Sequence, residues 1–428
     1  MSLDRKTFLR RLGAGAVAVA AAGVGRAAQT GPAADTLPAF DASRPDEFWR
    51  RVRDQYPLRD DPLYLNTGGL GPVSQPVLAR VAATTLALQE HSETGHNLLA
   101  PARDALAHFL GAQPDEVCFV RNATEANSII AAGLALAAGD EVIFESHAHP
   151  GGSFPWLNQA KQRGVVVRVF EPDHSSAETN LARIRELLSP RTKVIQVSHI
   201  TCTTGLVFPV AAIAKLARAR GSWFHIDGAQ SAGMIPVDLA AIGCDSYAFS
   251  GHKWLGGPHE TGGLFIRRDR LEAVAPTGIG AYSGELPQLP GEIKYHGAAS
   301  RHEYGTRNTA LVAGFAEAVR QQERIGRDRI AVHGRELATM VHDGLAGVPD
   351  ITVLTPRPPE LRASITTFRH ARADAGKLFG YLLEKHRLRC RPVTEQGLNA
   401  VRVSLHVFNS RADAARVIAA VRASARDL

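Results

Sequence analysis

Short apolar runs alternate with helix-length segments through the middle of this chain, and that alternation restricts the fold more than any other property. The runs fall at 117–120, 141–144, 165–170, 194–198, 223–226, 246–249 and 263–267. Between them, 124–137, 156–163, 181–188, 210–220 and 239–242 read as helices, the first opened by Thr124 as its N-cap. Strands that are apolar throughout are strands buried on both faces. The pattern therefore predicts an α/β fold, a mainly parallel, seven-stranded type of sheet flanked by helices. In such sheets a ligand sits beyond the carboxyl ends of the strands. Asp227 and Ser250 both stand just past strand ends, so they should face one crevice.

The flanks differ from this middle. Helical periodicity marks 46–56, 75–90 and 101–110, and 64–72 reads as a strand end running into a Gly-rich turn. After the last apolar run come helices at 310–325 and 328–345, strand-like pieces at 351–354, 363–368 and 400–405, and helices at 373–386 and 411–426. That is an α+β pattern. The expected organisation is a large domain over 61–308 and a smaller one over 309–428, preceded by a leader at 1–28 and a linker and N-terminal segment at 29–60. The leader has a basic start (Arg5, Lys6, Arg10, Arg11), an Ala/Gly-rich stretch at 12–24 and small residues at Ala27 and Ala28. It resembles a twin-arginine export signal with Lys6 in the place of the second arginine. The expectation is a periplasmic or exported protein, a cytoplasmic one being the alternative. The stretch is short for a bilayer span, and no second apolar span follows, so no stable membrane anchor is expected.

The 428 residues carry a formal net charge of +7, much of it arginine scattered along helical segments. No zinc-finger, RNA-recognition or long basic run accompanies that charge, and a nucleic-acid partner is not expected. Cys118, Cys202, Cys244 and Cys390 lack metal-ligand spacing, so free buried thiols are expected and no metal.

Two segments carry the chemistry. His225-Ile226-Asp227-Gly228-Ala229-Gln230 places a carboxylate at the end of an apolar run, and Ser250-Gly251-His252-Lys253-Trp254 places a lysine just after a serine and a histidine. A carboxylate, an amine and anion ligands suit a cofactor with a basic ring nitrogen, an aldehyde and a phosphate. Ala123-Thr124 opens a helix, whose first amides and hydroxyl form an anion site.

This set resembles the fold type I enzymes that use pyridoxal 5'-phosphate (PLP), in particular the class V aminotransferase group. That group includes cysteine desulfurases, isopenicillin N epimerase-like proteins and several lyases. The resemblance rests on Asp227-x-x-Gln230 followed twenty residues later by Ser250-x-His252-Lys253, and it covers about residues 60–428. It implies a Schiff-base lysine at Lys253, which then moves the Cα proton. Asp227 is implied to pair with the ring nitrogen, Gln230 with the ring oxygen, and Ala229 with one ring face. Ser250, His252, Ala123 and Thr124 are the implied phosphate ligands. His149 resembles the histidine that stacks on the exposed ring face, with His147 as the competing candidate. Thr306, in the segment 303–308, is implied to reach a neighbouring subunit's phosphate, hence a homodimer with shared sites. Arg402 resembles the arginine that clamps a substrate carboxylate, and Asn66, with Thr67 and Gly68, lies in a segment that lines the substrate pocket.

The reaction is narrowed less. A desulfurase needs a mobile acceptor cysteine, and Cys390 sits in a strand-like stretch, which disfavours that activity. Aminotransferase-type chemistry leads, on a small-molecule or peptide amino substrate. Epimerase or C–S/β-elimination lyase chemistry is the alternative. The segment 394–402 is similar to isopenicillin N epimerase-like and exported members, which implies tailoring of an exported peptide or siderophore precursor. A non-catalytic binding protein would have no need of Asp227, His252 and Lys253 together.

Overall fold

A computed structural model describes residues 37–285 and 288–428. The expected leader at 1–28, and the start of the segment at 29–60, lie outside the described residues.

The strands, numbered along the chain, begin with the short β1 (Leu63–Tyr64). Seven then build the main sheet: β2 (Val117–Val120), β3 (Glu141–Glu145), β4 (Val166–Phe170), β5 (Thr192–Ser198), β6 (Trp223–Asp227), β7 (Ser246–Ser250) and β8 (Gly262–Ile266). Their spatial order is β2-β8-β7-β6-β5-β3-β4. Neighbours run parallel except β8, which is antiparallel to both β2 and β7. Every position of β2, β3, β6, β7 and β8 is buried, which is why their sequences show no alternation. The edge strand β4 exposes Val166 and Val169.

Helices cover both faces. They are α1 (Pro45–Asp54), α2 (Gln75–His91), α3 (Leu99–Leu110), α4 (Ala123–Gly133), α5 (Pro150–Arg163), α6 (Ala177–Leu187), α7 (Val210–Arg220) and the short α8 (Leu239–Ile242). Successive strand residues feed opposite faces. Ile143, Ile226 and Phe249 join one core with Leu106 of α3 and Ile213 of α7. Val142, Phe144 and Ala248 join the other with Ile130 of α4 and Trp156 of α5.

Three local readings are corrected. The N-cap of α4 is Asn122, whose Oδ1 accepts from the Glu125 amide at 3.0 Å, and not Thr124. Thr124 thereby falls in the first turn, with its hydroxyl free for another task. The helix also stops at Gly133, because Leu134 turns extended and bridges to Val274. Helix α5 starts at Pro150, well ahead of the expected 156. Gly151, Gly152 and Pro155 hide its first turns from any periodicity, while Pro150 needs no N–H partner at that position.

The remaining strands and helices complete the C-terminal part. The pair β9 (Gly284–Glu285) and β10 (Lys294–Tyr295) is antiparallel. Helices α9 (Thr309–Ile325) and α10 (Arg327–Leu345) follow, then β11 (Ile351–Val353), β12 (Ile365–His370), α11 (Ala375–Glu384), β13 (Leu388–Arg389), β14 (Arg391–Val393), β15 (Ala400–Ser404) and α12 (Arg411–Asp427). A second, antiparallel sheet has the order β11-β12-β15-β14. Helix α9 packs against α2 and α3, and its Phe315 and Val319 sit in the core of the main sheet. Strand β1 pairs in parallel with β13, and Asn66 bridges to Ser404, so the start of the fold is tied to its end.

Candidate active site

A cavity of about 280 Å³ opens at the carboxyl ends of β6 and β7. It brings together Ala123, Thr124, His149, Asp227, Ala229, Gln230, Ser250, His252, Lys253 and Arg402. Asn66 stands behind its wall, with Oδ1 accepting from Arg402 Nη2 at 3.0 Å. Thr306 does not meet the cavity within one chain. It lines a separate hollow with Arg121, Glu125 and Glu260, beyond the first turn of α4. His147 also lies elsewhere, buried with Nδ1 2.9 Å from Thr203 Oγ1, so His149 is the histidine on the cavity.

Besides Gly69 and Asn122, sequence reasoning passed over two reactive side chains on the wall, Cys202 and Arg391. Cys202 follows the end of β5, so the strand-end rule that found Asp227 would have reached it. Arg391 carried no sequence signal. It stands opposite Arg402 only because β14 pairs with β15.

The base of the site is Asp227, 5% exposed at the end of β6. Its Oδ1 accepts from the Ala229 amide at 3.0 Å and its Oδ2 from Asn127 Nδ2 at 3.0 Å. Gln230 is fixed by a donor that cannot accept. Trp254 Nε1 donates to Gln230 Oε1 at 2.8 Å, so the amide nitrogen points the other way, to Gly68 O at 2.9 Å. The remaining N–H of that nitrogen suits an oxygen on the cofactor ring.

Lys253 is half-buried on the wall. Burial pulls its amine below the ordinary lysine range. Asp227 opposes this, and Arg402 and Arg391 add to it. A neutral amine is the form that attacks an aldehyde. The backbone here is wedged by the turn after β1. The Gly71 amide donates to His252 O at 2.7 Å, and a Cβ at Gly71 would fall 1.8 Å from the Lys253 carbonyl oxygen. Only glycine fits there. His149 caps α5, its Nδ1 accepting from the Gly151 amide at 3.0 Å, and burial and then the Lys253 charge hold it neutral.

The phosphate corner lies at the first turn of α4. Ser250 Oγ accepts from the Ala123 amide at 3.1 Å, and Thr124 lines the same wall. His252 Nδ1 is buried without a partner among the described residues, and burial takes this ring down to about 4. An orphaned ring nitrogen beside a helix N-terminus fits an anionic group. A carboxylate on the far side fits a ring nitrogen, and an amine between them fits an aldehyde. The residues present therefore suit PLP.

Arg402 is 1% exposed. Its Nη1 donates to Cys202 O at 2.7 Å, and its Nε is buried without a partner among the described residues. Burial, then Arg391, lowers its guanidinium to about 10. Arg391 is itself paired with Glu395. A buried cation with an idle donor is a place for a substrate carboxylate.

A second carboxylate sits near Asp227. Glu145, at the end of β3, is fully buried, with Oε1 accepting from the Ser198 amide at 3.0 Å and Oε2 without a partner among the described residues. Burial raises its carboxyl to about 7; the Ser198 bonds oppose the rise and the Asp227 charge adds to it. Because the folded value exceeds the unfolded one, near 4.3, the stabilising contribution is complete below that pH and is lost as pH rises through about 7. The loss integrates to about 4 kcal/mol. Glu145→Gln mimics the neutral acid at every pH. Thermal unfolding should show the variant gaining on the wild type as pH goes from 5 to 8. A pH-independent difference would contradict the buried, titrating acid.

A carboxylate, an amine and an anion corner at the strand ends of a mixed α/β sheet define a PLP-dependent enzyme of fold type I. The chain belongs to the class-V aminotransferase family, which it matches over residues 78–424. It is 30% identical over 390 residues to isopenicillin N epimerase of Amycolatopsis lactamdurans, spanning 87% of this chain and 98% of that protein. A probable cysteine desulfurase of Methanothermobacter thermautotrophicus is 31% identical over 310 residues, 70% of this chain and 76% of the other. Among solved structures, the apo cysteine desulfurase of Thermococcus onnurineus superposes with a TM-score of 0.79 at 26% identity, over 88% of this chain and 98% of that one. The cystine C–S lyase C-DES, with its product cysteine persulfide, gives 0.79 at 26% identity over 86% and 99%.

Proposed function

We propose that this enzyme works at the α-carbon of a substrate carrying both an amino group and a carboxylate, and that its reaction is of aminotransferase type. The observation that carries this reading is one cavity holding Lys253, Asp227 and Arg402. Arg402 receives the carboxylate and so aims the α-carbon. The Lys253 amine takes and returns the α-proton. Asp227 keeps the ring nitrogen charged, and His149 covers the cavity side. PLP, when bound, supplies the electron sink.

Epimerisation is the second reading. It is favoured by the match to isopenicillin N epimerase, over 87% of this chain and 98% of that protein, and by proton-carrying groups, Lys253, His149 and Cys202, on one cavity. Desulfuration is disfavoured. Cys390 is buried beside β13, outside this cavity, with its thiol pushed to about 12. Burial also raises the thiol of Cys202, the one cysteine on the wall among the described residues.

Visible spectra of the holoenzyme with a panel of amino donors test the reading. Loss of the lysine-linked cofactor band, restored by a keto acid, supports transamination. Inversion of substrate handedness with the band retained supports the second reading. Failure to take up PLP overturns both. The proposal extends to a homodimer, in which Thr306 of one protomer completes its partner's phosphate corner, and to an exported peptide or siderophore precursor as substrate. Sedimentation of the purified enzyme and fractionation of cells check those two parts.

A further inference from the structure

We propose that His225 and Asn127 are positioning residues that fix the aim and the charge of Asp227 toward the ring nitrogen of PLP. The inference rests on the cofactor and not on which reaction it serves. Behind Asp227 runs a closed chain of hydrogen bonds. Trp223 Nε1 lies 2.8 Å from Ser246 Oγ, Ser246 Oγ lies 2.8 Å from His225 Nδ1, and His225 Nε2 lies 2.8 Å from Asn127 Oδ1. Asn127 Nδ2 then lies 3.0 Å from Asp227 Oδ2 and 3.1 Å from Gly151 O. His225 and Ser246 are 0% exposed and Asn127 is 1% exposed, so water does not compete for these bonds.

The direction of the chain is set from its far end. Gly151 O and the Asp227 carboxylate accept, so Asn127 gives its two N–H bonds to them and turns Oδ1 to His225 Nε2. That ring nitrogen must then carry a proton. The ring is kept neutral by burial that takes it down to about 4, so its Nδ1 accepts and the Ser246 O–H donates to it. Trp223 Nε1, which can only donate, takes a remaining lone pair of Ser246 Oγ. The His225 N–H in turn holds the asparagine against turning over, with its amide nitrogen on Asp227 and Gly151 O.

Reversing the asparagine would set its carbonyl against the carboxylate. Two acceptors cannot share a bond, so the carboxylate would lose that donor and be repelled from its place. A carboxylate turned from its aim no longer holds the ring nitrogen in its charged form. His225 thus acts on the cofactor through two intervening residues without touching it, and it neither gains nor loses a proton in doing so.

The test is 15N NMR of the holoenzyme reconstituted with PLP labelled at the ring nitrogen, together with the PLP dissociation constant. The wild type is expected to show a protonated ring nitrogen. In His225→Leu the signal should move toward the unprotonated position, and PLP binding should weaken roughly tenfold to a hundredfold, the worth of a lost charge-assisted hydrogen bond. His225→Gln, which restores an N–H at the Nε2 position, should return both readouts toward wild type. Asn127→Leu should match His225→Leu, and the double variant should be no worse than either. A His225→Leu protein with native circular dichroism and an unmoved nitrogen signal overturns the proposal. Should that variant fail to fold, Ser246→Ala removes only the hydroxyl that donates to His225 Nδ1. It is expected to move the signal the same way by less, and an unmoved signal there is equally fatal.

Discussion

Lys253→Ala is expected to slow turnover by about a thousandfold or more while leaving the fold intact. A positioned proton carrier alone is worth about 10² to 10⁴ in rate, and in the proposed reading this lysine is also the group that joins the cofactor. The fold should survive because the Lys253 charge is a liability in place. Burial works against it, with two arginines adding to the effect. What the segment gives to the architecture is its backbone, where the Lys253 carbonyl accepts from the Gly256 amide at 3.1 Å and Gly71 packs on it, and alanine keeps that backbone. The variant should still hold PLP through the phosphate corner and Asp227, with the absorbance of an unlinked aldehyde. Small amines added to the buffer should return part of the rate. A wild-type rate in Lys253→Ala would remove the lysine from the chemistry.

Arg402→Lys is expected to cut kcat/KM by about a hundredfold for substrates bearing the carboxylate, mostly through KM. The charge is kept, so the effect isolates geometry. Lysine cannot reproduce a planar fork that holds Cys202 O and Asn66 Oδ1 and still offers an idle Nε. Amines that lack the carboxylate should react with both proteins at similar rates. Equal losses on both kinds of substrate would mean that Arg402 supports the cavity wall and does not bind the substrate.

The main sheet was legible because burial on both faces writes itself into sequence as unbroken apolar runs. All seven expected strands exist, and α7 and α8 lie at 210–220 and 239–242 as read. The meeting of Asp227, Gln230, Ser250, His252 and Lys253 on one cavity was legible too, since they come from two adjacent strand ends and need only short-range spacing. What stayed hidden depends on tertiary pairing or on residues that do two jobs. Arg391 reaches the cavity through its register with Arg402. Helix α5 opens on Pro150 and two glycines, which look like a loop until His149 is seen to cap them. Asn127 reads as a polar residue inside a helix, and only the fold sets it between His225 and Asp227. Thr306 lies off the cavity, and no property of one chain brings it in.

The clasp of β1 and Asn66 onto the last strands has a consequence for how the enzyme is born. Asn66 and Arg402, which meet behind the cavity wall, are 336 residues apart in sequence. A chain still emerging from the ribosome has made Asp227 and Lys253 long before Arg402, and the core of the main sheet itself waits for Phe315 and Val319 of α9. Arg402 cannot be seated until β15 has been made. Long-range closures of this kind come late in folding. The cavity is therefore closed only when the last strands arrive, and a prematurely ended chain would lack the wall that Arg391 and Arg402 supply.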